Sequence, residues 1–246
     1  MKNPLARYTP LQIAMHMGAW LPLARLIFDL LTDGLSANPT QDLQQRTGRA
    51  AITLLVLAVA CSPLNTLFGW REPIKRRRAL GLYAFMYATI HMLIFVELDY
   101  GLAWSLITRT ILEKPYLVVG VTTFLMLLPL AVTSFDIWKR RLGRNWKRLH
   151  RSVYFTASLA VLHYAWSKKG DLFTLQGDIV RPLVYACALA LLLALRIPAV
   201  RNAASSLRFR VVGHIARAKT GPTLASAAVT TRGASGAPKA NPRARK

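Results

Sequence analysis

The chain has 246 residues, with 33 Lys and Arg against 10 Asp and Glu, a formal charge of +23. A basic excess of that size invites a nucleic-acid reading, because clustered Lys and Arg neutralise phosphates. With 53% of residues hydrophobic and only 17% charged, however, a soluble nucleic-acid domain and a wholly disordered chain are both excluded, leaving a membrane protein whose charge lies outside its apolar segments.

In chain order, residues 1–10 form a short polar N-terminus with no removable signal peptide. Crossing a bilayer takes roughly 20 helical residues, and six stretches meet that demand, near 11–31, 50–69, 79–98, 115–135, 151–167 and 180–197. The first span holds Arg25 and Asp29 at i,i+4, a spacing that lets them pair on one helix face. Pro22, Pro63 and Pro129 lie inside spans, which membrane helices tolerate when neighbours satisfy the freed carbonyls. Pro115 opens the fourth span, where its missing N–H costs nothing. Cys61 and Cys187 sit in apolar runs as small buried side chains, with no metal or redox spacing between them. Residues 198–246 form a basic tail: 201–217 reads as a short basic interfacial helix on anionic lipid at the cytoplasmic face, and beyond about 218 the composition predicts disorder. The expected fold is all-α, a polytopic six-helix transmembrane bundle over 11–197. No internal repeat is found, and no Walker loop, GxGxxG, GxSxG or HExxH is present.

Charge fixes the expected orientation. The N-terminus, the loops after spans two and four, and the segment from Arg196 onward together hold 25 bases and 2 acids. The opposite loops hold 7 bases and 7 acids. The positive-inside rule then places both termini in the cytoplasm.

Of five histidines, His214 lies in the tail and reads as solvated, while His16, His91, His150 and His163 fall in or beside spans. Ionisable residues there are costly and face the bundle interior. His91 and His163 both lie 12 residues into outward-running spans, about 18 Å deep. Two imidazoles at one level on two helices can clamp an iron porphyrin; ordinary interhelical hydrogen bonding is the bland alternative. His150 stands at the inner mouth of span five, about 140° around the helix from His163, so the two cannot serve one haem. Three readings stay open for His150: an inner haem with His16 as partner, a quinone head-group contact, or a plain interfacial histidine. Tyr83, Phe85, Tyr87, Phe95, Tyr154, Phe155, Tyr164 and Trp166 flank the pair as packing or interface residues. Gly81, Ala84 and Ala88 permit close helix approach or room for a flat cofactor.

The segment RALGLYAFMYATIH at 78–91 resembles the third span of the ferric reductase-like transmembrane family. RRLGRNWKRLHRSVYFTASLAVLHYAW at 140–166, KPYLVVG at 114–120, NPTQDLQQRTGR at 38–49 and MHMGAWLP at 15–22 resemble its YedZ/MsrQ branch. The likeness covers about residues 10–200 and leaves out the tail. It implies a bacterial inner-membrane, haem b-binding electron-transfer subunit that takes electrons from the quinone pool. The acceptor it implies is a periplasmic, molybdenum-containing partner, MsrP, which reduces methionine sulfoxide in proteins. It also implies FMN, for which no binding motif is recognisable. Carried over by position, the family's haem histidines fall on His91, His150 and His163; His16 matches a histidine of uncertain role. The weaker alternatives are a ferric or cupric reductase-type carrier and a histidine-bearing proton or metal transporter. Spans two, four and six lack mid-span charge, which counts against the transporter. The outer face, with Arg46, Arg49 and the 99–114 loop, is the expected docking surface.

Overall fold

A computed structural model describes residues 9–168, 170–171, 176–200 and 202. The chain divides into two units, Met1–Ala204 and Ser205–Lys246. The interfacial helix and disorder expected of the tail, and His214, lie outside the described residues save for Asn202.

Helix α1 is Pro10–Leu31, α2 Pro39–Phe68 and α3 Glu72–Leu93; the last widens into a π turn over Ile94–Asp99. A ten-residue helix α4 (Trp104–Glu113) precedes α5 (Pro115–Val132). Two short basic helices, α6 (Asp136–Leu142) and α7 (Arg144–Leu149), lead through a 3-10 turn at His150–Ser152 into α8 (Val153–Ser167). A two-residue antiparallel pairing of Gly170–Asp171 with Gln176–Gly177 precedes α9 (Val180–Ala194). The fold is all-α, and four helices (α1, α2, α3 with its π turn, and α5) are long and apolar enough to cross a membrane. The protein is thus a polytopic membrane protein. Helices α8 and α9 stand where spans five and six are expected but have 15 residues each, a rise of about 22 Å against a core of about 30 Å.

Local chemistry explains the helix ends. Thr9 caps α1 by accepting from the Gln12 N–H at 3.3 Å, with Pro10 in the first turn. Asn38 caps α2 through the Gln41 N–H at 3.1 Å, again followed by proline. The stretch 38–49, expected as an outer loop, is therefore the opening of α2. Its polar residues sit on a well-capped helix that is 30 residues long, about 45 Å, longer than a bilayer core requires. At the far end Gly69, at φ +69, supplies the left-handed cap, its N–H donating to Asn65 O at 2.8 Å. The 4–5 connection, expected as a loop, instead holds α6 and α7, broken at Gly143 (φ +49).

The core lies where α2 packs on α3 and α5 on α8. Ala84, Tyr87, Val59 and Ala157 are among its most deeply buried residues. Tyr87 ties α1 to α3. Its hydroxyl donates to Ala19 O at 2.7 Å and accepts from the Leu23 N–H at 3.0 Å. The hydroxyl is thus inserted into the α1 ladder beside Pro22, which has no N–H to give. Large side chains such as Met17, Leu21 and Phe28 stand exposed along α1, the pattern of a helix whose outer face meets acyl chains rather than water.

Asp29 is buried at the end of α1, and Arg25 donates to it at 3.3 Å as the i,i+4 spacing predicts. Arg46 of α2 also donates to Asp29 and to Asp42, the latter at 2.7 Å. An arginine assigned to an outer loop is therefore the bridge between two helices.

Candidate cofactor site between α2, α3, α5 and α8

His91, near the end of α3, and His163, on α8, face each other with ring centroids 6.3 Å apart and planes at 81°. Each ring is held the same way. His91 Nδ1 lies 2.9 Å from Gln44 O on α2, and His163 Nδ1 lies 2.7 Å from Tyr116 O on α5. A carbonyl only accepts, so in both rings Nδ1 carries the proton and Nε2 keeps its lone pair. No hydrogen bond engages either Nε2 among the described residues. This is the arrangement by which proteins orient metal-ligating histidines, the second nitrogen anchored to backbone.

The anchoring repeats. Histidine follows its carbonyl partner by 47 residues in both halves. One helical turn beyond each carbonyl stands a glycine, Gly48 or Gly120, under the ring. A Cβ on Gly48 would lie 3.1 Å from His91 Cε1, and one on Gly120 only 2.6 Å from His163 Cε1. The α2–α3 and α5–α8 hairpins are therefore equivalent half-sites. The repeat that residue identity does not reveal is present in the geometry, because it rests on backbone carbonyls and absent side chains.

Both rings line a cavity of about 620 Å³ whose inner wall is apolar, with Ile52, Leu55, Ala84, Ala88, Phe124 and Leu127. Its outer rim is polar and includes Gln41, Gln45, Arg49, Asp99 and Lys168. Two buried atoms of cavity-lining residues, Gln44 Oε1 and the Tyr164 hydroxyl, have no hydrogen-bond partner among the described residues. Lys168 donates to Asp178 at 2.7 Å and to Gln45 Oε1 at 3.2 Å, and its ammonium holds the Asp178 carboxyl below the usual carboxylate range.

These residues fit a flat metallocycle. The 6.3 Å between ring centroids is of the size that would admit one metal ion between two imidazoles at metal–nitrogen distances of about 2 Å. A bare ion wants at least four donors, and among the described residues no three of His, Cys, Asp and Glu gather. The pair supplies two nitrogen donors, which suits a metal whose remaining donors come from a macrocycle.

His150 is elsewhere. It lines a second cavity of about 480 Å³ with Arg77, Arg78, Lys139, Lys147 and Arg151. Its ring stacks on Trp146 at 4.2 Å, and Nε2 lies 3.1 Å from Thr133 Oγ1. That hydroxyl spends its proton on Pro129 O at 2.6 Å, so it accepts from His150 Nε2–H. Burial, then the charge of Arg77, pushes the imidazole below its ordinary value. His16 sits apart again, its Nδ1 2.9 Å from the Tyr83 hydroxyl, which also accepts from Trp20 Nε1 at 3.1 Å. His16 and His150 share no contact among the described residues.

The flanking aromatics divide by task. Phe95 and Tyr164 line the outer cavity, and Phe85 and Tyr154 the inner one. Tyr87 clamps α1, while Phe155 and Trp166 stand exposed. Ala84 and Ala88 give the outer cavity its room, and Gly81 borders the inner one. Sequence reasoning missed Gly48 and Gly120; Gly120 was signalled as a glycine inside an apolar helix, whereas Gly48 sits in the polar run QDLQQRTGR and carried no such signal.

A polytopic helical bundle with paired imidazoles in its outer cavity defines a membrane component of the ferric reductase-like class, and the family described as "Ferric reductase like transmembrane component" matches residues 47–161. The chain is 41% identical over 189 residues to the protein-methionine-sulfoxide reductase heme-binding subunit MsrQ of Xanthomonas axonopodis pv. citri (strain 306). That match covers 74% of this chain and 84% of the relative. Against the subunit of the same name from Ralstonia nicotianae (strain ATCC BAA-1114 / GMI1000), identity is 39% over 187 residues, 76% of this chain and 84% of the other. The chain belongs to the MsrQ family.

Proposed function

We propose that this chain is the haem b-binding membrane subunit of a protein-methionine-sulfoxide reductase system. It passes electrons from the quinone pool to a periplasmic catalytic partner of the MsrP type. The observation that carries the reading is the facing imidazole pair, each Nδ1 anchored on a carbonyl and each Nε2 free. Haem bound there supplies one-electron redox chemistry, with its potential set by axial ligation and burial. The chain's His91 and His163 would hold the haem iron, their tautomers fixed by the Gln44 and Tyr116 carbonyls, and the apolar inner wall would keep bulk water away. The names of the relatives support the haem and the sulfoxide reductase partnership.

Six crossings are part of the proposal, with flanking turns completing α8 and α9, both termini cytoplasmic and the bacterial inner membrane as the site. The charge asymmetry of the connections supports it. The inner cavity, ringed by Arg77, Arg78, Lys139, Lys147 and Arg151, is the proposed entry for electrons from quinol or FMN. A second haem on His150 requires its bond to Thr133 to break first. His16, tied to Tyr83, is not an axial ligand in this reading. Docking of the partner is assigned to the outer face around α4, where Trp104 and Leu112 are exposed. Arg46, committed to Asp29 and Asp42, is not free to take part.

The test is the visible spectrum of the purified protein in detergent, oxidised and dithionite-reduced. A low-spin b-type spectrum is expected, lost in His91→Ala and in His163→Ala. Full haem content and an unchanged spectrum in both variants overturn the assignment. Orientation is read separately: a phosphatase fused after Lys246 is expected to be inactive.

A further inference from the structure

Arg49 stands on α2 next to Gly48 and lines the cavity that holds His91 and His163. It is half-buried, yet its guanidinium makes no hydrogen bond or ion pair among the described residues. Two acids feel its charge, Asp42 and Asp178. Both are already engaged, Asp42 by Arg46 and Asp178 by Lys168, each at 2.7 Å. Asp99, the carboxylate that does line the cavity, ends the π turn of α3 and forms no ion pair among the described residues. A half-buried guanidinium without an anion carries five N–H donors in a fork that matches a carboxylate.

A second group beside it is also unspent. Tyr164, one residue outward of His163 on α8, has a buried hydroxyl with no partner and lies within the field of Arg49. Its ring lines the cavity, packs edge-on against Tyr185 and lies under the Lys168 ammonium at 6.0 Å. Gln44 Oε1 is buried and unpartnered too, but as an acceptor it does not serve an anion. Arg49 on α2 and Tyr164 on α8, both lining one largely apolar cavity, thus hold a charged fork and a hydroxyl donor with no acceptor among the described residues.

We propose that Arg49 and Tyr164 form an anion subsite that takes a carboxylate of the tetrapyrrole in this cavity. The guanidinium pairs with the carboxylate and the hydroxyl donates to it. The subsite would fix how the macrocycle is turned within the cavity, which His91 and His163 alone would leave open. This rests on the haem reading above.

The test is a cycle between protein and ligand. Detergent-purified apoprotein, wild type or variant, is reconstituted with iron protoporphyrin IX or its dimethyl ester, and affinity and midpoint potential are read by Soret titration. Charge-assisted hydrogen bonds of this kind predict that esterification weakens binding to wild type by roughly tenfold to a hundredfold. Arg49→Gln is expected to lose a similar factor with the free acid and little further with the ester. Arg49→Lys, which keeps the charge, recovers part of the loss, and Tyr164→Phe shows a smaller coupled loss. Lys168→Gln, whose ammonium is engaged by Asp178, is expected to show no coupling to esterification. Losses that simply multiply overturn the subsite while leaving the haem reading intact, as does coupling at Lys168 in place of Arg49. Absence of a Soret band from wild type with either ligand overturns both.

Discussion

Adding one methyl group at Gly120 is the sharpest perturbation of the imidazole pair. An alanine Cβ there would sit 2.6 Å from His163 Cε1 and 2.8 Å from Nδ1, far inside ordinary carbon contact of about 3.5–4 Å. The glycine lies in the backbone of α5 and cannot retreat, so the imidazole must move by about 1 Å or give up its bond to Tyr116 O. Overpacking costs about 1–3 kcal/mol and the lost hydrogen bond about 1 kcal/mol. Together they predict roughly 2–4 kcal/mol, a thirtyfold to thousandfold loss of haem affinity. Gly48→Ala meets His91 at 3.1 Å, a few tenths of an ångström too close, and is expected to cost under about 1 kcal/mol. Gly18→Ala, with nothing within 4 Å of the new methyl, is expected to be neutral. The assay is haem per polypeptide by pyridine haemochrome, with the low-spin electron paramagnetic resonance signal reporting ring orientation. Wild-type haem content and signal in Gly120→Ala, or equal losses at all three glycines, refute the half-site geometry.

Tyr87→Phe removes the hydroxyl inserted into α1 and is expected to cost about 1–3 kcal/mol of stability, seen as a lower melting temperature in detergent with the haem spectrum kept. Arg46→Gln strips Asp29 of its bridge between α1 and α2 and should lower the melting temperature more than Arg109→Gln, which breaks an exposed pair with Glu113. The Lys168–Asp178 pair sets an acid dependence. Asp178 is held below its unfolded value, so its contribution is full above the usual carboxylate range and is lost as pH falls through about 4 toward the folded value. Melting temperature against pH should therefore be flatter on the acid side in Asp178→Asn, and an unchanged acid limb contradicts the pairing. Thr133→Val removes the acceptor of His150 Nε2–H and should shift the His150 ring signals in nuclear magnetic resonance while leaving the haem bands of the outer site in place.

The spans were legible because apolar runs of bilayer length are a one-dimensional signal: α1 and α5 begin and end within three residues of their expected bounds, whereas α3 opens seven residues early, over the polar run EPIKRRR. The opening turns of α2 were not, since hydropathy is blind to a polar helix; Asn38 and Pro39 carried the capping signal instead. Helices α6 and α7 were hidden in a run of bases read for charge alone. The equal depth of His91 and His163 follows from counting residues along two helices that run the same way. Their anchors could not be counted. Gln44 and Tyr116 act through backbone carbonyls, and Gly48 and Gly120 act by lacking a side chain, so neither leaves a chemical mark on the sequence. Arg49 was visible as a base near an outer loop, but its freedom is known only once Arg46 and Lys168 are seen to have taken the neighbouring acids.

The two cavities share Leu55 and Leu127. Phe85 of the inner cavity stacks on Phe124 of the outer one at 5.7 Å. No hydroxyl, amide or charge belongs to this four-residue septum. Water has nothing there to bind, and a proton has no hydrogen-bonded chain to follow. An electron needs neither. If electrons cross between the cavities as proposed, this apolar contact would let them through while giving water and protons no polar path along it.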